Sequence, residues 1–275
     1  MFSMETPLIL TPILGLLIGF LMGLTGAGGG ILSVPVLIFF LHLTMAQAGP
    51  IALLAIASSA GIGALLAHKN KTLRYKAAAL MALSGLTTAP IGLWLAHQLP
   101  NQPLVVLFGF ILIMLAIRFF WIAQKELRGS SRIKNQNPPC LLNNATGKLT
   151  WTAPCFWTLL LIGAISGFLS GLLGVGGGFI IVPALKRFTN LSPHSVIHSS
   201  LGVMSIIAIG SVGVSAVAGT LIWPIALLFS LGSIGGLLIS RKLAQGLNPL
   251  RIQQFFAVFT FLVGIYMLTK SFLNL

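Results

Sequence analysis

The stretch Gly23 to Pro35, GLTGAGGGILSVP, recurs as Gly171 to Pro183, GLLGVGGGFIIVP, displaced by 148 residues throughout. The chemistry open to this pattern lies in the backbone. Glycines in series let the chain turn without Cβ clashes and leave its N–H groups unshielded. Inside hydrocarbon each such group must find a partner or cost several kcal/mol. An anion at the N-terminus of the helix that follows is one natural partner, because unpaired N–H groups and the helix dipole converge there. The amides of Gly26, Gly28, Gly29 and Gly30 in the first copy, and of Gly174, Gly176, Gly177 and Gly178 in the second, are therefore the candidate ligands. No Lys-Ser or Lys-Thr follows either cluster, which excludes a nucleotide phosphate loop. The competing reading is that the glycines only let helices pack closely. Consecutive glycines do not make a helix face, however, and a short apolar run follows both clusters.

Other chemistry is sparse. The two carboxylates, Glu5 and Glu126, lie outside every apolar run, so no acid–base pair or carboxylate metal set exists within them. His194 and His198 stand one helical turn apart without Cys or acid nearby, and no metal site is expected there. His42, His68 and His97 sit at the edges of apolar runs. Any proton carried by the protein would ride on His42, His194 or His198, since intramembrane relays use Asp, Glu or His. Ser58, Ser59, Thr87, Thr88 and Ser205 offer hydroxyls, although most such groups bond back to their own helix. Cys140 and Cys155 read as two separate thiols rather than a disulfide framework.

The surrounding composition is that of a bilayer protein. With 56% hydrophobic and 7% charged residues and a mean hydropathy of +1.02, the chain is far from the roughly 25% charge of a soluble domain. The net charge of +14 is scattered in short clusters between apolar runs. It encodes topology and excludes a nucleic-acid surface. The first apolar run has no basic segment before it and reads as a retained helix.

Long apolar runs at 8–24, 49–67, 77–96, 103–123, 155–173, 195–217, 224–240 and 251–271 predict eight crossings. Two shorter ones, 31–41 and 179–188, follow the glycine clusters and would reach about 16 Å, half a bilayer. Each glycine-broken segment could cross once or turn back as a hairpin, and the loop charges choose. Lys69, Lys71, Arg74 and Lys76 mark one cytoplasmic loop; Lys125, Arg128, Arg132, Lys134 and Lys148 mark another. A single crossing at the second cluster would export Lys186, Arg187, Arg241 and Lys242, whereas a hairpin keeps all four inside. Lys186 and Arg187 then close the second short helix as snorkelling anchors, as does Arg118 on its own helix.

The expected fold is thus all-α and polytopic: two inverted repeats with glycine-broken helical hairpins, eight long and two short helices. The first repeat covers 1–123, a cytoplasmic linker with Asn137, Pro138 and Pro139 covers 124–154, and the second repeat covers 155–275. Both termini fall outside a cell inner membrane. Twelve of 21 aligned positions are identical between Gly15–Pro35 and Gly163–Pro183. Beyond them the similarity fades to a proline before the last helix of each half, Pro103 and Pro249.

The paired G-x-x-G-x-G-G-G-x-x-x-x-P motifs, in a two-repeat chain of this length, resemble the TauE/SafE family of sulfite and organosulfur anion exporters. The resemblance spans nearly the whole chain and implies a secondary carrier for a small anion such as sulfite, a sulfonate or thiosulfate. A Ser-Leu pair often follows in the family's next helix. Ser200-Leu201 fits it in the second half, with Pro50-Ile51 near the corresponding place in the first. Thr25 and Ser200 are accordingly the candidate side-chain ligands beside the glycine amides. No cofactor is implied; the partners are the anion and the bilayer, and a homo-oligomer is compatible with both. A carrier of another small anion such as a carboxylate, a membrane-embedded enzyme and a non-transporting assembly subunit are the alternatives. The missing intramembrane acids speak against the enzyme, and the paired break against the subunit.

Overall fold

The computed structural model describes residues 5–69, 75–128, 138–143, 148–243 and 249–273. Lys71, Arg74, Arg132, Lys134 and Asn137 lie outside them. The chain forms α1 (Glu5–Thr25), a 310 helix (Gly26–Leu32), α2 (Ser33–Leu41), α3 (Met45–Lys69), α4 (Tyr75–Gln98) and α5 (Asn101–Leu127). After the linker come α6 (Ala153–Leu173), α7 (Gly178–Phe188), α8 (Pro193–Val217), α9 (Trp223–Leu243) and α10 (Pro249–Leu273). Seven of these helices are long and apolar enough to cross a membrane. The eighth long helix, α1, has 21 residues, about 31 Å at 1.5 Å per residue.

The displacement of 148 residues persists where sequence identity does not. Helices α3 and α8 begin at residues 45 and 193, and α1 and α6 end at 25 and 173. This register refines two sequence assignments. Ser200-Leu201 corresponds to Ala52-Leu53, not to Pro50-Ile51, and Pro249 corresponds to Asn101, two residues before Pro103. Nor do Pro35 and Pro183 end their short helices: Pro35 is in the first turn of α2, where its missing N–H is unneeded, and Pro183 is inside α7.

Helix directions follow from which small residues touch. On α1, Gly15 lies against Phe229 of α9, Gly19 against Ser233, and Gly23 against Leu237 and Ser240. The two helices therefore run the same way, packed backbone to backbone through small residues at four-residue spacing. In the counterpart pair, Gly163 of α6 lies against Met81 and Ser84 of α4, Gly167 against Gly85, and Gly171 against Ala89 and Leu93, again parallel. Helices α3 and α8 are antiparallel, with Gly61 near Ser205 and Gly63 near Leu201. So are α5 and α10, where Gly109 meets Gly264 and Leu268, and Gln253 reaches the Phe119 carbonyl.

These pairings settle the hairpin layout. The short turn at 218–222 makes α8 and α9 antiparallel, so α3 runs with α9 and therefore with α1. Two successive helices running the same way require the segment between them to come back. The same reasoning returns α7 between α6 and α8, and sets α1 and α6 opposite to each other. The halves are inverted, and α1·α9 maps onto α6·α4 under a pseudo-two-fold axis.

The five tryptophans support a bilayer setting. Trp94, Trp121, Trp151, Trp157 and Trp223 are all exposed and lie at or within about two turns of a helix end, where the headgroup belt would be.

The linker differs from the sequence expectation. Cys140 and Cys155 are joined by a disulfide, with Cα atoms 4.9 Å apart. A two-residue antiparallel ladder, β1 (Leu142–Asn143) with β2 (Lys148–Leu149), turns the linker back toward α6. The Cys140 N–H also donates to the Phe188 carbonyl at 3.3 Å. The linker thus docks on the end of α7. The thiols meet because the chain folds back, which their spacing alone does not reveal.

Candidate functional site

The repeated motif divides into two parts with different jobs. Gly15, Gly19 and Gly23, and likewise Gly163, Gly167 and Gly171, are packing glycines facing a partner helix. The clusters after Thr25 and Leu173 break the helix. In both, the third glycine of the break folds against the helix before it, so that a Cβ on Gly29 would overlap the Met22 backbone and one on Gly177 would overlap Ser166.

The breaks meet at mid-depth. Ile56, the twelfth of 25 residues in α3, lies between them: a Cβ on Gly30 would come within 3.1 Å of its Cδ1, and one on Gly176 within 2.9 Å of its Cγ2. Met204 is the residue displaced from Ile56 by 148, and its Cε closes on Gly176 from α8. Both side chains are fully buried. A Cβ on Gly30 would also come within 3.7 Å of the Val175 carbonyl oxygen in the other break.

The two backbones nevertheless differ. The first break is a 310 helix, whose i→i+3 bonds occupy the amides beyond its first turn; the Ser33 N–H donates to the Gly30 carbonyl as it ends. The second is open. Gly174 (φ 72°), Gly176 (φ 70°) and Gly177 (φ 67°) adopt left-handed conformations that other residues rarely accept. Gly174 caps α6, its N–H donating to the Ser170 carbonyl at 2.8 Å. The Gly177 carbonyl accepts from the Ile180 N–H at 3.1 Å and from the Ser166 hydroxyl at 3.0 Å. From Val175 through Phe179 the amides have no protein acceptor among the described residues, and all five residues are buried. They lead into α7, whose first turn presents unpaired N–H groups and the positive end of the dipole.

The predicted side-chain ligands are less open. The Thr25 hydroxyl donates to Leu21 and that of Ser200 to Ile197, each at 2.8 Å. Ser58, Ser59, Thr87, Thr88 and Ser205 also bond back to their own helices, and Thr88 reaches across to the Ala164 carbonyl at 2.7 Å. The rings of His194 and His198 are 6.5 Å apart, and no metal-binding group of three His, Cys, Asp or Glu occurs among the described residues. The Nδ1 of His97 lies 2.8 Å from the Leu93 carbonyl, and His42 caps α2 in a left-handed conformation. The Arg187 guanidinium stacks over Phe188, 5.7 Å from the ring centroid.

Four residues that the sequence left unmarked shape the site: Ile56, Met204, Ser166 and Ser170. Ile56 and Met204 carry the 148-residue displacement, which would have paired them. Ser166 and Ser170 stand inside the repeated stretch where the first copy has Ile18 and Met22, so the signal was a departure from the repeat.

Opposed helix-break-helix elements that meet at the middle of an inverted repeat define the class, a multi-pass membrane transporter. Residues 12–267 match the profile described as sulfite exporter TauE/SafE, and the chain belongs to that family. It is 30% identical over 270 residues to a probable membrane transporter protein of Xylella fastidiosa strain Temecula1, covering 95% of each chain. It is 25% identical over 248 residues to the probable membrane transporter protein YunE of Bacillus subtilis, covering 86% of each. A third relative, the probable membrane transporter protein MJ0441 of Methanocaldococcus jannaschii, is 25% identical over 281 residues, covering 97% of each. No solved structure matches.

Proposed function

We propose that the protein is a secondary carrier for a small oxyanion of the sulfite type, held at the second glycine break. The observation that carries this reading is the run of five buried, acceptor-free amides from Val175 to Phe179. Unsatisfied amides in a water-poor interior are costly, and successive N–H groups around left-handed residues form an anion-binding concavity. The family's description as sulfite exporters supports a sulfur oxyanion. Among the alternatives a small carboxylate would suit the same amides, and the flux screen below separates it.

In this reading, the bodies that rock across the midplane are the inter-repeat pairs α1·α9 and α6·α4, each locked backbone to backbone, rather than residues 1–123 against 155–275, with Ile56 and Met204 closing the path between the breaks. Gly26, Gly28, Gly29 and Gly30 move with the first repeat and face the anion from the other side, beside Thr25 and Ser200. The Lys and Arg bias supports a cytoplasmic linker, with Cys140 and Cys155 as thiols in that reducing compartment and bridged on oxidation, and both termini outside an inner membrane. Coupling is through the charge or protonation of the anion itself, since the apolar runs hold no carboxylate. A His198→Ala variant should therefore keep its proton stoichiometry at fixed substrate protonation.

The test is flux in proteoliposomes across sulfite, sulfate, thiosulfate, taurine, sulfoacetate and small carboxylates. Saturable movement of sulfite or thiosulfate, lost in Gly177→Val, is expected. Saturable movement of carboxylates alone would replace the substrate class, and no anion movement by correctly inserted protein would remove the carrier reading.

A further inference from the structure

Among the described residues, three buried hydroxyls have no hydrogen-bond partner: Ser33, Ser170 and Ser230. An orphan of this kind is unusual in a helix that crosses a membrane, where serine ordinarily donates to its own i−3 or i−4 carbonyl. Ser200, Ser205, Ser211 and Ser215 on α8 all do so. Ser170 does not, although its side chain is 0% exposed.

Its position gives the orphan a meaning. Ser170 supplies the carbonyl that caps Gly174, so the second break springs from it. One turn earlier on the same face of α6, Ser166 donates to the Gly177 carbonyl and occupies the space that a Gly177 Cβ would need. The break therefore folds over the face that carries Ser166 and Ser170. Ser166 is committed to holding the loop, while Ser170, one turn on and buried, has no hydrogen-bond partner for its hydroxyl among the described residues. In the other half the equivalent residue is Met22, whose thioether receives the Ser59 hydroxyl at 3.4 Å, and there the 310 helix closes the amides. The first break also has an orphan hydroxyl, Ser33 at the start of α2, but it follows a 310 helix; in the second half the orphan precedes the open left-handed loop.

We propose that Ser170 is the specificity-determining side chain of the anion site, completing the Val175–Phe179 amide run with a neutral hydroxyl that recognises an oxyanion. Resting on the carrier reading above, this adds a residue and a selection rule to it. The amides attract any small anion. A hydroxyl at that position adds directional contact to an oxygen-bearing ligand, and its lone pairs can also accept a hydrogen bond from the O–H of a singly protonated oxyanion. A spherical halide gains less from that geometry. Selection arises without lysine or arginine, so the ligand is bound without a counter-charge and can leave again.

The experiment measures the affinity of purified full-length protein for sodium sulfite, thiosulfate and chloride, by tryptophan fluorescence or calorimetry, in wild type, Ser170→Ala, Ser230→Ala and Gly176→Ala. Ser230→Ala removes an orphan hydroxyl from α9, outside both breaks. Monodispersity and thermal stability check that each variant is folded. Ser170→Ala should weaken sulfite and thiosulfate by about tenfold or more, the loss expected for a hydrogen bond to a charged group, with chloride and Ser230→Ala changed less than twofold. Equal losses in Ser170→Ala and Ser230→Ala, or uniform loss across all three anions, would overturn the selection role. If Ser170→Ala binds like wild type while Gly176→Ala does not, the hydroxyl proposal falls and the glycine site stands. Absence of anion binding in folded wild type would overturn both.

Discussion

The two glycine breaks have nearly the same sequence and different backbones. GAGGG winds into a 310 helix, GVGGG opens into three left-handed residues, and both fold against the helix they leave. Sequence identity at the glycines therefore fixes where the chain turns, not how its amides are used. What differs lies around them: Ser166 and Ser170 stand on the second half's helix where Ile18 and Met22 stand on the first. A hydroxyl can hold the Gly177 carbonyl and so keep the second loop open, whereas Ile18 has no such group to offer Gly29. In an inverted repeat, such unequal halves are the means by which one side of the membrane is distinguished from the other.

The largest effect should come from filling the folds. Gly177→Val and Gly29→Val each place a branched side chain against the preceding helix and should abolish flux in proteoliposomes while leaving the protein inserted. Transport by both would remove the breaks from the mechanism. A finer comparison uses alanine. Gly176→Ala combines strain at φ 70° with crowding by Ile56, whereas Gly30→Ala meets only the flexible end of Ile56. A left-handed non-glycine residue costs about 1–2 kcal/mol, so Gly176→Ala should lose about tenfold in flux and Gly30→Ala less than about twofold. Equal losses would mean that the two backbones serve alike.

Next comes the linker, whose bridge is attached to the second half. Cys140→Ser should lower unfolding stability under oxidising conditions by about 3 kcal/mol, the chain-entropy value for a loop of this size. A reductant should do the same to wild type and nothing further to the variant. The smallest effects belong to single hydroxyls: Ser166→Ala should cost about 1 kcal/mol in thermal unfolding through its lost bond to Gly177. Ser215→Ala, which removes a bond back to its own helix away from both breaks, should leave flux within about twofold.

Much of this architecture is legible in the residues. Hydropathy gives the eight long runs, and Lys186, Arg187, Arg241 and Lys242 choose the hairpin over the single crossing, a choice the α1·α9 and α4·α6 pairings uphold. Three things were not legible, each for a physical reason. Glycine permits both 310 and left-handed backbone, so GAGGG and GVGGG could not be told apart without their neighbours. The Cys140–Cys155 bond depends on a linker that folds back at β1 and β2, and no spacing rule encodes that. The partner of Ser200-Leu201 lies two residues beyond Pro50-Ile51, because outside the glycine stretch the identity that would align the halves is lost: Pro50 sits inside α3 and the register runs through Ala52.

The shared helix register across oppositely directed halves has a consequence for descent. Each half crosses an odd number of times, so its end emerges on the side opposite its beginning, and a tandem copy enters already upside down. Joining two copies required no additional helix. Before fusion, a single half would have had to insert both ways round and pair with its own inverted twin through the contacts that α3 makes with α8 and α5 with α10.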